Sequence, residues 1–333
     1  MGQRTKKRNR FNNKRTIQPY KKRFTKRKQN RFVRNKTYRP GLYNKHVKNA
    51  STLNVRCSPT VKEKRFTCLT NENLFKLKDM WNARHPDVKI ISKDPKQIWE
   101  ALNEHMANTC SKESCWLKQK FVDGKLDTVL ENAYAPESPK TWLKKPNEWL
   151  TSVDILKVMK HYEKAFPCFE FMGPSPIDYD TIISHDECVW EELCRFNLLQ
   201  QIKRGKTKIG VIFNTDPHNK GGAHWISMFI NIKKRFIYFY DSVGTPIPDR
   251  AKVFADTIIQ QGAEMKPPMH ITFDQNSPIE HQQGNTECGV YSLFFLIHML
   301  EDKIDAHYLK THTIDDKYME KFRKIYFNED LAK

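Results

Sequence analysis

The sequence predicts an α+β protein: a small mixed β-sheet flanked by helices, with a helical arm ahead of it. Three patterns carry that reading. Residues 281–287 form a polar loop, and from Cys288 the chain becomes almost wholly apolar, with Val290, Leu293, Phe294, Ile297 and Leu300 at helical spacing. Phe295, Leu296 and Met299 add apolar side chains off that stripe, so this helix is expected to be buried on most sides. Two short runs, 223–231 and 235–241, read as strands joined by a turn at Lys233-Lys234. Nearer the N-terminus, Leu74, Leu77, Met80 and Trp81, then Ile98, Trp99, Leu102 and Met106, repeat at helical spacing.

At 333 residues the chain has room for one large domain or two smaller ones. Its net charge of +20 is uneven. Residues 1–62 hold 21 Lys and Arg and no Asp or Glu, while the remaining 37 Lys and Arg face 38 acids. The basic character therefore belongs to a tail, residues 1–56, that lacks hydrophobic periodicity and is expected to be disordered in isolation. Phe11, Tyr20, Phe24, Phe32, Tyr38 and Tyr43 recur among its cations. Cations for phosphates and rings for stacking suit non-specific nucleic-acid binding through residues 1–50. A solubilising or nuclear-import role is the rival reading of the same charge. No signal-peptide h-region and no transmembrane span is found, so no membrane partner is expected, and Met1-Gly2-Gln3-Arg4-Thr5-Lys6 is a poor myristoylation signal.

Residues 57–145 are expected to form the arm, with Asn71 capping one helix and Asp94-Pro95 opening another. The polar stretch Asp123 to Lys145 reads as a connector. The body, 146–333, begins with a capping box at Thr151-Ser152-Val153-Asp154 and a helix carrying Ile155, Val158, Met159 and Tyr162. Ile209–Phe213 is an expected strand, 214–222 a polar loop, 249–261 a helix and Met269–Phe273 a further strand. Thr313 is expected to cap a last helix with Ile314, Tyr318, Phe322 and Ile325. Eight cysteines (57, 68, 110, 115, 168, 188, 194, 288) include no Cys-x-x-Cys pair. Without an export signal they are expected as reduced thiols, and their spacings with His185 fit no zinc motif, so neither metal nor cofactor is expected.

Cys288 sits where a loop becomes the first turn of a core helix, where free N–H groups and the helix dipole favour a thiolate. A thiolate is the nucleophilic form, although a buried structural cysteine would occupy the same place. Gln282, six residues upstream, could donate its amide to an oxyanion, and Gln283 competes for that role. His224 begins the first strand of the hairpin and Asp241 ends the second, so folding the hairpin sets carboxylate beside imidazole at its open end. His281 competes as the base but lacks a strand to fix it and a carboxylate opposite. Asp249 and Asp274 remain open as alternative acids. The set His224, Asp241, Gln282 and Cys288 supplies base, orienting carboxylate, oxyanion donor and nucleophile.

The blocks Gly-Gly-Ala-His-Trp-Ile-Ser-Met-Phe-Ile, Tyr-Phe-Tyr-Asp-Ser-Val-Gly and Gln-Gln-Gly-Asn-Thr-Glu-Cys-Gly-Val-Tyr-Ser resemble SUMO-protease and adenoviral-protease cysteine peptidases. Within that class the chain looks most like the polyprotein-processing proteases of large DNA viruses, of the African swine fever virus type. The resemblance covers roughly residues 57–327 and takes in Asn147 to Asp178 and Thr313 to Phe322. It implies the ubiquitin-like-protease fold, selects Gln282 over Gln283 by the six-residue spacing to the nucleophile, and gives Trp225 a place narrowing the substrate cleft. One departure is Asp241, where the swine fever virus enzyme looks to have Asn.

These readings lead to a thiol endopeptidase that needs no cofactor. The resemblance implies cleavage of a viral structural polyprotein after Gly-Gly-type sites during virion maturation, in the virion and at cytoplasmic assembly sites of the host. A deconjugase of SUMO or another ubiquitin-like modifier would share the chemistry. An acetyltransferase using the same residues, and a nucleic-acid-binding structural virion protein with a vestigial protease fold, are the alternatives from other classes.

Overall fold

A computed structural model describes residues 36–37, 55–61 and 66–329. The expected tail therefore lies almost wholly outside the described residues. Its described pair, Lys36–Thr37, runs parallel to His312–Thr313. Val55, inside the span assigned to the tail, is buried in the core of the arm.

The arm carries helices α1 (Asn71–Arg84) and α2 (Pro95–Met106), with the short helices Glu113–Trp116 and Asp127–Ala133 after them. Leu74, Leu77 and Trp81 of α1 meet Ile98, Leu102 and Met106 of α2 in one apolar cluster. Thr70, and not Asn71, caps α1: its hydroxyl accepts the Asn73 N–H at 3.2 Å. Asp94 caps α2 through the Gln97 N–H at 2.9 Å. The stretch expected as a polar connector is instead folded into the arm. Leu126 and Tyr134 are buried in its core, because a few apolar residues among the charges suffice to anchor it.

The body is built on a five-stranded mixed sheet: β1 (Phe169–Pro176), β2 (Lys208–Asn214), β3 (Trp225–Asn231), β4 (Phe236–Tyr240) and β5 (Thr272–Gln275), in that spatial order. The outer pairs are parallel and the two central pairs antiparallel. This is the small mixed sheet flanked by helices that the sequence predicts. Alternation along β3 sorts its side chains between two cores. Trp225 and Phe229 face α3 (Ser152–Ala165) and α5 (Cys288–Leu300), while Ile226, Met228 and Ile230 face α4 (Asp249–Ala263). All of α5 is buried, and a fully buried Leu or Phe side chain contributes roughly 1.5–3 kcal/mol, so this helix is the fixed centre of the body.

Thr151 and Asp154 form the expected capping box at α3. The last helix, α6 (Asp316–Tyr326), is capped by Asp315 and not by Thr313, since Asp315 accepts the Tyr318 N–H at 2.7 Å. Just past α6, Asn328 bonds both edges of the arm: its side chain accepts the Arg56 N–H at 2.6 Å and donates to Ala135 O at 2.8 Å.

The cysteines overturn one expectation. Six of the eight are paired, as Cys57–Cys68, Cys110–Cys115 and Cys188–Cys194, and only Cys168 and Cys288 are free. Their Cα atoms are 5.3, 5.5 and 6.3 Å apart, within disulfide reach. The partners are only 5, 6 and 11 residues apart in sequence, spacings that a search for Cys-x-x-Cys does not see. Among the described residues, no helix is long and apolar enough to cross a membrane, and no three His, Cys, Asp or Glu gather to hold a metal ion.

Candidate active site

The open end of the β3–β4 hairpin and the start of α5 meet at one end of the sheet. His224 immediately precedes β3 and Asp241 immediately follows β4. The antiparallel register, Ser227 opposite Tyr240, brings them together, and His224 Nε2 lies 2.7 Å from Asp241 Oδ1. The imidazole also hydrogen-bonds to Cys288. With Nε2 committed to Asp241, Nδ1 is the nitrogen left to face the thiol.

Burial alone would lower the basicity of His224. The hydrogen bonds to Asp241 and Cys288, with the charges behind them, outweigh burial and hold its pKa at about 9. Asp241 is 3% exposed and fixed from several sides. Its Oδ1 also accepts the Val243 N–H at 3.0 Å. Asn276, fully buried beyond β5, brackets its main chain by accepting the Asp241 N–H at 2.9 Å and donating to Asp241 O at 2.7 Å.

The loop before Cys288 carries Gln282, whose amide is held at both ends. Oε1 accepts the Ser242 hydroxyl at 2.7 Å and Nε2 donates to Gly284 O at 3.0 Å. One amide proton is left for another acceptor. Gln282 is 3% exposed, whereas Gln283 faces solvent. His281, the rival base, is buried in the core, where its Nδ1 accepts the Ile314 N–H at 3.2 Å. Burial lowers its pKa to about 4, which keeps it neutral. Asp249 is exposed at the start of α4, and Asp274 pairs with Lys310 on β5, so neither meets His224.

Trp225 forms one wall of an adjoining cleft of about 510 Å³, with Trp149, Leu150, Trp190, His218 and Gly222 among its lining. Its indole N–H donates to Leu150 O at 2.9 Å. Leu150 also presses on the residue after Cys288: a Cβ at Gly289 would stand 2.9 Å from Leu150 Cβ, so glycine is required for that contact. Gly222, at φ +92°, turns the chain toward His224, and Asn214 pins the turn by accepting the Ala223 N–H at 3.1 Å.

A buried cysteine at a helix start, an imidazole bonded to it and to a buried carboxylate, and an aimed amide nearby make a set suited to acyl transfer. Residues 205–332, which hold all four, match the Ulp1 protease family, C-terminal catalytic domain. The chain is a cysteine-type peptidase.

This peptidase is 29% identical over 259 residues to a putative thiol protease of Acanthamoeba polyphaga mimivirus, covering 74% of this chain and 79% of that protein. It is 25% identical over 258 residues to a cysteine protease of African swine fever virus, covering 72% and 91%. The crystal structure of an African swine fever virus protease matches with a TM-score of 0.60 at 19% identity, over 84% of this peptidase and 98% of that chain, a likeness of fold. Asn276, Ser242 and Leu150 were not legible as site residues in the sequence. The first two act through hydrogen bonds with neighbouring main chain or amide, which leave no periodic or motif trace.

Proposed function

We propose that the peptidase is an endopeptidase that cleaves a viral structural polyprotein after Gly-Gly-type sites. The observation that carries the chemistry is the His224 imidazole, bonded to Asp241 at 2.7 Å and to Cys288 at the start of α5. In this reading His224 takes the Cys288 proton, and the thiolate attacks the scissile carbonyl. The Gln282 amide and the Cys288 backbone N–H receive the negative oxygen. The C–N bond then breaks, His224 gives its proton to the leaving amine, and a thioester remains on Cys288. His224 next deprotonates a water, which attacks the thioester and releases the carboxylate product with the thiolate restored. Trp225, Leu150, Trp149 and Trp190 line the adjoining cleft offered to the substrate, and the Gly-Gly preference rests on the resemblance, since two glycines suit a cleft that excludes side chains.

A second reading is removal or maturation of a ubiquitin-like modifier, since homologues from African swine fever virus are named SUMO-1 cysteine protease. Both readings are tested by incubating the purified protein with Gly-Gly-X peptides and with a SUMO precursor. Faster turnover of the peptides supports polyprotein processing, and exclusive turnover of the precursor supports the modifier.

The tail adds a nucleic-acid partner, and with it a place in the virion and at cytoplasmic assembly sites, to this reading. Residues 1–50 hold 19 Lys and Arg and no acid. Affinity for DNA or RNA is expected to fall steeply with salt and to be lost on removal of residues 1–50, while peptide cleavage continues. Equal binding by both forms would assign the tail to import or partner docking.

A further inference from the structure

The loop 282–288 carries both groups that would receive the oxyanion, and α6 grips that loop at two points. From the third turn of α6, Arg323 donates to Glu287 Oε2 at 2.9 Å and Oε1 at 3.0 Å, with both side chains buried. From the first residue of α6, Asp316 Oδ2 accepts the Gly284 N–H at 2.7 Å and the Gln283 N–H at 3.1 Å. Its other oxygen lies 3.0 Å from Tyr291 Oη, on α5 one turn beyond the nucleophile. Asp316 is not the cap of its helix, since the neighbouring Asp315 fills that place. Two adjacent aspartates thus divide the work: one starts the helix and one holds the loop.

The bond network gives this hold a direct route to the chemistry. Gly284 offers its N–H to Asp316 and its carbonyl to Gln282 Nε2. The carbonyl that aims the amide therefore belongs to a residue whose own position Asp316 sets. Gln283 and Gly284 are exposed and lack a packed side chain to hold them, so little else fixes this turn. We propose that Asp316 is a positioning residue of the active site, fixing through Gly284 the direction in which the Gln282 amide meets the substrate oxygen. This rests on the oxyanion role assigned to Gln282 above.

The test is a double-mutant cycle on full-length protein with a peptide substrate, reading kcat, KM and Tm. Asp316→Ala should lower kcat about 10- to 100-fold, with KM within about twofold, because an amide misplaced by about an ångström is felt in the transition state. Asp316→Asn, whose amide oxygen still accepts both N–H groups, should recover most of that loss. Asp315→Ala, which removes only the cap of the same helix, should lower Tm and leave kcat near wild type. The Asp316→Ala/Gln282→Ala double variant should be no slower than Gln282→Ala alone, since one side chain acts through the other. If Gln282→Ala is severe but the two losses multiply, or Asp316→Ala costs Tm without kcat, the positioning role is refuted and the oxyanion assignment stands. Should Asp316→Ala fail to fold, an Asp316→Asn enzyme as slow as Gln282→Ala would refute it too. A Gln282→Ala enzyme with full kcat would refute the oxyanion assignment itself.

Discussion

Glu113 in the arm and Asp241 in the body are carboxylates buried to the same depth, and the two are held differently. In the arm, Glu113 is 3% exposed and accepts the Trp99 indole N–H at 2.6 Å, the Tyr134 hydroxyl at 2.8 Å and the Cys68 N–H at 3.1 Å. Every partner is neutral, and burial raises its pKa above the usual carboxylate range despite those bonds. In the body, Asp241 is equally buried, but its partner is an imidazole that is itself bonded to a cysteine. A buried carboxylate with neutral donors organises a core. One beside a titratable group with an outlet to a nucleophile organises a reaction. The difference lies in the partners, not in depth.

The comparison is sharpest where the proposed oxyanion donor is removed. Gln282→Ala should slow turnover about a hundredfold or more, while Gln283→Ala, on the exposed neighbour, should change it little. Steady-state kinetics on one peptide checks both, and the reverse ranking would move the oxyanion donor to the other glutamine. A smaller effect is expected from Asp241→Asn, which keeps a hydrogen-bond acceptor and removes the charge. In the wild type the His224 pKa is raised to about 9, so the imidazolium form is retained to that pH, and kcat/KM should fall as pH rises through about 9. The same raised pKa adds stability that is fully present below the ordinary histidine value near 6.5 and is lost as pH rises through about 9. In Asp241→Asn the alkaline limb should move to lower pH. An unmoved limb would show that Asp241 does not hold the charge on His224.

Least of all should the arm carboxylate touch catalysis. Glu113→Gln should leave kcat and KM unchanged. Because the Glu113 pKa is raised on folding, its contribution to stability is present below the unfolded value and is lost as pH rises through the folded one. Thermal unfolding followed across pH should therefore show a flatter dependence for Glu113→Gln. A fall in kcat would instead join the arm to the chemistry.

How much was legible follows the same division. The His224–Asp241 contact was readable from hairpin geometry, because strand spacing fixes which residues face each other at the open end. The buried α5 was readable because its apolar side chains exceed one helical face. What escaped depended on a choice among neighbours or on local folding. Thr70 beside Asn71, and Asp315 beside Thr313, are all competent caps, and only the backbone path selects one. The disulfides join cysteines at spacings no motif marks, and the anchoring of the supposed connector depended on a few residues such as Tyr134. Asn276 and Asp316 bond main-chain groups, for which no side-chain pattern exists.

The central claim is that Cys288 is the nucleophile, and Cys288→Ala tests it most directly. The substitution removes one sulfur at the first residue of a helix whose other buried side chains stay in place, so the variant should remain folded, with circular dichroism and Tm near wild type. Peptide cleavage by that folded variant should fall to background. Substantial turnover by well-folded Cys288→Ala protein would contradict the account.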